Sequence, residues 1–191
     1  ERANEGVDTV KSSVTFSLVA GARTGGGSVS DSLENLTLTG TNAIDGTGNA
    51  LGNVLTGNAA ANVLLGNAGN DTLFGGDDTD LAFGGDGNDT YYVDNVADRT
   101  IEATGSVAGT ADTTITALNN YTLEANVEYL ISTGTSARTL TGNSLNNSIT
   151  GTAFDDSLTG AAGKDTLNGG VGNDTMVGGT EDDTYYVDSA L

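Results

Sequence analysis

The 191-residue chain contains no cysteine, histidine, proline or tryptophan. Without cysteine there is no disulfide framework and no thiolate ligand. Without histidine, Ser-His-Asp chemistry and the usual zinc centres fall away. Any metal held by this chain would have to be a hard cation bound through oxygen. Basic residues are scarce and scattered: Arg2, Lys11, Arg23, Arg99, Arg138 and Lys164 stand against 26 acidic residues, for a net charge of −20. That balance repels nucleic acid and anionic membrane surfaces. No apolar run approaches the roughly 18 residues of a membrane span, so no insertion is expected. Hydrophobic residues make up 36% of the chain, below the about 45–50% of ordinary globular domains. The 29 glycines add a large entropic cost of ordering, so a thick conventional core is not expected. The chain opens on ERANEG, without Met or a signal-peptide pattern, and is expected to be a fragment of something longer or a processed product.

What the chain does have is a beat of nine. GNAGNDTLF, GGDDTDLAF and GGDGNDTYY follow one another from Gly66, preceded in phase by GNALGNVLT and GNAAANVLL from Gly48. The same phase returns 94 residues later as GNSLNNSIT, GTAFDDSLT, GAAGKDTLN, GGVGNDTMV and GGTEDDTYY from Gly142 to Tyr186. Position six is Asn53, Asn62, Asp71, Asp80 and Asp89 in the first array, and Asn147, Asp156, Asp165, Asp174 and Asp183 in the second. Position eight is apolar or aromatic throughout. The segments before each array also resemble one another: LENLTLTG at 33–40 matches VEYLISTG at 127–134. The organisation is therefore two tandem units: a β-rich flank at 1–47 with an exposed loop at about 20–32, an array at 48–94, a second β-rich flank at 95–141, and a second array at 142–188.

The glycine and Asp/Asn content and the spacing of nine exclude a helix within the arrays. Six residues suit a turn, because Gly, Asn and Asp tolerate positive φ, and three suit a short strand. Two nonapeptides then make one coil, and coils stack in parallel at about 4.8 Å. The fold class is all-β, a parallel β-roll with β-rich flanks. In that stack Asp71 lies over Asp89, Asp156 over Asp174 and Asp165 over Asp183. Two carboxylates about 5 Å apart repel by about 3 kcal/mol at an effective dielectric of about 20, a large fraction of a fold's about 5–15 kcal/mol. A divalent cation between them reverses the sign. Ca²⁺, with six to eight oxygen ligands and flexible geometry, fits better than Mg²⁺.

The repeat G-G-x-G-x-D-x-U-x, with U a large apolar residue, resembles the calcium-binding nonapeptide of the RTX (repeats-in-toxin) family. The resemblance implies a calcium-induced β-roll in a secreted or cell-surface bacterial protein exported by a type I system. It also implies that each ion takes position-six Asp side chains from two same-side turns, together with turn carbonyls. On this chain those carbonyls are Gly66, Ala68, Gly85 and Gly87 for one ion. Gly151, Ala153, Gly170 and Gly172 serve the second, and Gly160, Ala162, Gly179 and Glu181 the third. Asn53, Asn62 and Asn147 offer a neutral ligand, so Asn53/Asp71, Asn62/Asp80 and Asn147/Asp165 are expected to be weaker. The expectation is about three strong sites and up to six in all. Asp78 and Glu181 stand at position four, where the family has Gly, and should strain their turns.

The function expected is a structural calcium-binding module or spacer of a larger adhesin or surface-layer protein, not an enzyme. One alternative is the accessory module of a secreted protease, lipase or alginate epimerase. Another is a carbohydrate- or ice-binding face, for which the threonine rows Thr72/Thr90 and Thr166/Thr184 leave room. Glu34, Glu102, Glu124 and Glu128 have no spacing suited to an acid/base pair. An EF-hand reading of Asp86 and Asn88 fails because Thr90 stands where the third ligand belongs. Calcium ions and the rest of the polypeptide are the expected partners; sequence leaves self-association open.

Overall fold

The structure, a computed structural model, describes residues 6–20, 32–103 and 109–188. The loop expected at about 20–32 lies almost wholly outside the described residues. Among the described residues every regular element is a strand. Two compact units are present, residues 1–109 and 110–191.

Among its described residues unit 1 holds ten strands: β1 (Thr9–Ser12), β2 (Phe16–Ser17), β3 (Asn35–Leu38), β4 (Gly46–Thr47), β5 (Val54–Thr56), β6 (Val63–Ala68), β7 (Thr72–Phe74), β8 (Leu81–Asp86), β9 (Thr90–Val93) and β10 (Arg99–Ile101). The odd strands pair in the order β1-β3-β5-β7-β9 and the even strands in the order β10-β8-β6-β4-β2. Every pairing is parallel, and from β5 onward each partner lies 18 residues away, as Leu55 with Leu73 and Leu64 with Ala82. Successive strands thus alternate between two sheets, which makes the unit a β-solenoid. The flank strands β1–β4 belong to the same stack as the array and are its first coils.

Unit 2 repeats the plan. It holds β11 (Thr113–Thr116), β12 (Asn120–Thr122), β13 (Tyr129–Ser132), β14 (Thr139–Thr141), β15 (Ser148–Thr150), β16 (Ser157–Ala162), β17 (Thr166–Asn168), β18 (Thr175–Thr180) and β19 (Thr184–Tyr186). Its sheets run β11-β13-β15-β17-β19 and β12-β14-β16-β18.

Position eight lines the interior, as the period-two alternation of a strand requires. In unit 1 the register aligns Leu36, Leu55, Leu73 and Tyr91 in one sheet, all essentially inaccessible. The facing column is Phe16, Gly46, Leu64, Ala82 and Thr100. Gly46 leaves no hole there: a Cβ on it would sit 3.1 Å from Leu36 and 3.2 Å from Leu64. Unit 2 aligns Leu130, Ile149 and Leu167 against Leu140, Leu158 and Met176. Tyr185 also turns inward, its hydroxyl accepting from Gly178 N at 2.8 Å, yet it is 46% exposed. It lies on β19, the last strand of its sheet, with no further coil among the described residues to cover it.

Candidate metal centre

The turns between strands carry the acidic residues, and one pattern runs through them. The position-six carboxylate reaches back to the position-six N–H of the same-side turn 18 residues earlier. Asp71 Oδ1 accepts from Asn53 N at 2.6 Å, Asp89 Oδ1 from Asp71 N at 2.7 Å and Asp80 Oδ1 from Asn62 N at 2.8 Å. In unit 2, Asp165 accepts from Asn147 N at 2.7 Å, Asp174 from Asp156 N at 2.8 Å and Asp183 from Asp165 N at 3.0 Å. The second oxygen folds across the mouth of its own turn. A Cβ on Gly66, Gly75 or Gly160 would collide with Oδ2 of Asp71, Asp80 or Asp165. Position one must therefore lack a side chain, because the carboxylate occupies that space.

The buried Oδ2 atoms of Asp71, Asp80 and Asp165 accept no hydrogen bond. An orphaned buried carboxylate oxygen is costly, and it is the kind of donor a hard cation seeks. Backbone oxygens line the contacts between same-side turns, and Gly84 O shares the space over Gly66 with Asp71 Oδ2. A Cβ on Gly85 would meet the carbonyl of Asn67, one on Gly87 that of Gly69, and one on Gly66 that of Gly84. These oxygens bridge the gap between turns 66–71 and 84–89. In unit 2 the carbonyls of Thr152, Phe154 and Gly169 face Gly170, Gly172 and Gly151 in the same way. Ala161 and Gly178 do so for Gly179 and Gly160. Carboxylate and carbonyl oxygens on flexible turns make a donor set that fits Ca²⁺.

Electrostatics agree with that fit. Burial, offset in part by the hydrogen bond from Asn53 and reinforced by Asp89, pushes Asp71 up to about 7. Burial likewise raises Asp80 and Asp89 to about 6, with Asp98 adding to the first and Asp86 to the second. Asp165 is raised by burial, with Asp183 and Glu181 adding to it. A divalent charge is what these carboxylates lack.

The asparagines, and Asp156 with them, turn an oxygen to their own turn: Asp156 Oδ2 accepts from Thr152 N at 2.5 Å and from Thr152 Oγ1 at 2.9 Å. The side-chain oxygens of Asn53, Asn62 and Asn147 accept from position two of their own turn: Asn49 N at 2.7 Å, Asn58 N at 2.8 Å and Asn143 N at 2.7 Å. Asp78 and Glu181 do adopt positive φ, at 75° and 80°. Glu34 and Glu128 are acceptors for flank backbone, from Asp8 N at 2.9 Å and Asp112 N at 3.0 Å. Glu102 accepts from the hydroxyl of the fully buried Tyr91. Thr72 aligns with Thr90 and Thr166 with Thr184, as the phase requires.

Two residues escaped sequence reading. Asp98 accepts from Asp80 N at 3.0 Å, one more step of the same ladder. Counting nine from Gly84 reaches VDNVADRTI with Asp98 at position six, but that turn has none of the motif's glycines. Arg138 holds position six of TGTSARTLT, is buried, and donates its backbone N–H to Asp156 at 2.6 Å.

Stacked parallel coils with a ladder of carboxylates along their turns define a calcium-type β-roll. A family model described as the RTX calcium-binding nonapeptide repeat matches residues 47–82, 56–91, 66–99, 141–176 and 150–185. The matches span both arrays and just over half of the chain, so it belongs to that family, whose repeats bind calcium. No curated protein matches the chain.

Proposed function

We propose that the chain is a calcium-dependent folding module, a structural spacer within a larger secreted or cell-surface bacterial protein of adhesin or surface-layer type. Repeats of this family are typical of secreted bacterial proteins. The observation that carries the reading is the set of buried position-six carboxylates, Asp71, Asp80 and Asp165, each keeping an oxygen that accepts no hydrogen bond in a turn lined by backbone carbonyls. Asp71/Asp89, Asp156/Asp174 and Asp165/Asp183 are the strong ion sites. Bound Ca²⁺ supplies the positive charge that lets these carboxylates stack. At low calcium the chain's own acidic residues oppose the roll, and outside the cell binding free energy becomes folding free energy.

The test is a circular-dichroism titration of the full chain with Ca²⁺ and, separately, Mg²⁺. A cooperative gain of β signal with Ca²⁺, and much less with Mg²⁺, is expected. A β signal in excess chelator equal to that in calcium would sink the proposal. A second reading, a glycan-binding face, draws on the stacked rings of Phe74 and Tyr92, 4.0 Å between centroids, beside the Thr72/Thr90 row. Binding on a glycan array, lost in Tyr92→Ala, would favour it.

A further inference from the structure

The four turns at the junction of flank and array break the position-six rule in both units. Three of these turns read GNALGN, GNAAAN and GNSLNN, that is G-N-x-x-x-N at 48–53, 57–62 and 142–147. The fourth, TGTSAR at 133–138, carries Arg138. No acid occupies position six in any of them.

In each G-N-x-x-x-N turn both amides do two jobs. The position-six nitrogen donates to carbonyls of the flank coil beneath. Asn53 reaches Leu33 O at 3.2 Å and Glu34 O at 3.1 Å, and Asn62 reaches Ile44 O at 2.6 Å. Asn147 reaches Val127 O at 3.1 Å and Glu128 O at 3.4 Å. The position-two nitrogen donates to the same coil. Asn49 reaches Leu33 O at 2.8 Å, Asn58 reaches Asn42 O at 2.9 Å, and Asn143 reaches Glu124 O and Val127 O at 2.7 Å each. The position-two oxygen accepts from position four of its own turn, at 2.9 to 3.0 Å. At the fourth turn the Arg138 guanidinium lies over Gly134 and donates to Asn119 Oδ1.

Carbonyls facing a gap between turns need a positive partner, which an ion supplies between two acidic turns. At the flank junction the coil beneath puts Glu34 and Glu128 in register with Asn53 and Asn147, their carboxylates accepting from Asp8 N and Asp112 N, and Ile44 and Asn119 in register with Asn62 and Arg138, so at none of the four turns do two acids face each other across the gap. Amide and guanidinium N–H groups stand in that place instead. An Asp could not, since an ionised carboxylate only accepts.

We propose that these four turns are built-in, metal-free caps, with Asn49/Asn53, Asn58/Asn62, Asn143/Asn147 and Arg138 fastening each array to its flank without calcium. The inference rests on the calcium-module reading for the acidic turns and adds a direction to it. The capped coil persists at low calcium and templates the coils that ions complete, so each roll grows from its flank toward its later repeats.

Hydrogen exchange by mass spectrometry on the full chain, with and without calcium, tests this. In calcium-free buffer, amides of β3–β6 and β13–β15 are expected to be protected well above those of β7–β9 and β17–β19. Asn62→Asp is expected to cut the calcium-free protection of β6 by about tenfold or more, since a buried carbonyl loses its donor and meets a carboxylate. Asn173→Asp, which adds the same charge at an exposed position-five residue, is the control and should leave β6 unchanged. Uniform exchange along the calcium-free chain, or equal effects of the two variants, overturns the cap. The calcium arm reads separately: β7–β9 left unprotected at saturating calcium would remove the module reading without altering the calcium-free comparison.

Discussion

At the residue scale the decisive group is a single carboxylate with two differently used oxygens. Asp71 gives one oxygen to the backbone of the turn behind it and keeps the other buried beside carbonyls. Its folded pKa, and those of Asp80 and Asp89, lie above the ordinary 3.8, at about 7, 6 and 6. The metal-free fold therefore binds more protons than the unfolded chain between about pH 4 and pH 7. Its stability is greatest in acid and falls as pH rises through the folded values. Calcium must displace those protons. The calcium-free chain is expected to melt at higher temperature at pH 5 than at pH 7.5. The calcium needed for half-maximal folding should rise as pH drops below about 7. Thermal melts and titrations at the two pH values check both; a calcium midpoint independent of pH would mean these acids are not ligands. Asp78 and Glu181 show a local cost of a different kind, since positive φ costs a side chain about 1–2 kcal/mol.

At the element scale, three-residue strands have little stability of their own, so the position-eight ladder carries the load. Leu73 sits in register between Leu55 and Tyr91 and is 1% exposed. Leu73→Ala should destabilise the calcium-loaded protein by about 2–5 kcal/mol. Val177→Ala, on the outward face of β18, should change it by less than about 0.5 kcal/mol. Denaturant unfolding at saturating calcium measures both. The alternation that makes these strands was legible in TLF, TYY and SLT. The coil formed by β4 was not, because TGTNAIDGT has no apolar residue at position eight, and only neighbouring Leu36 and Leu64 close over Gly46.

At the scale of the whole molecule, a net charge of −20 acts as a field as well as a set of contacts. Such a field attracts divalent cations and opposes compaction through self-repulsion. Salt shortens the reach of that field, from about 30 Å at 0.01 M to about 8 Å at 0.15 M. The calcium midpoint should therefore move to higher concentration as NaCl rises, while the folded end state stays the same. Circular-dichroism titrations at several salt concentrations measure the shift. A salt-independent midpoint would place all of the attraction in the short-range ligand shell.

The covalent chain by itself determined the phase of nine, the alternation of turn and strand, the inward ladder and the excess of acid. From these follow the parallel roll and its stacked acidic turns, since each depends only on spacing along the backbone. Tertiary structure decided what depends on partners 18 residues away. It settled which oxygen of Asp71 is shared with the turn behind it. It showed that Asp98 continues the ladder without the motif's glycines, and that Asn53, Asn62 and Asn147 donate downward to the flank. A side chain's two ends can be read from its chemistry, but which neighbour each end meets is fixed only when the coils come into register.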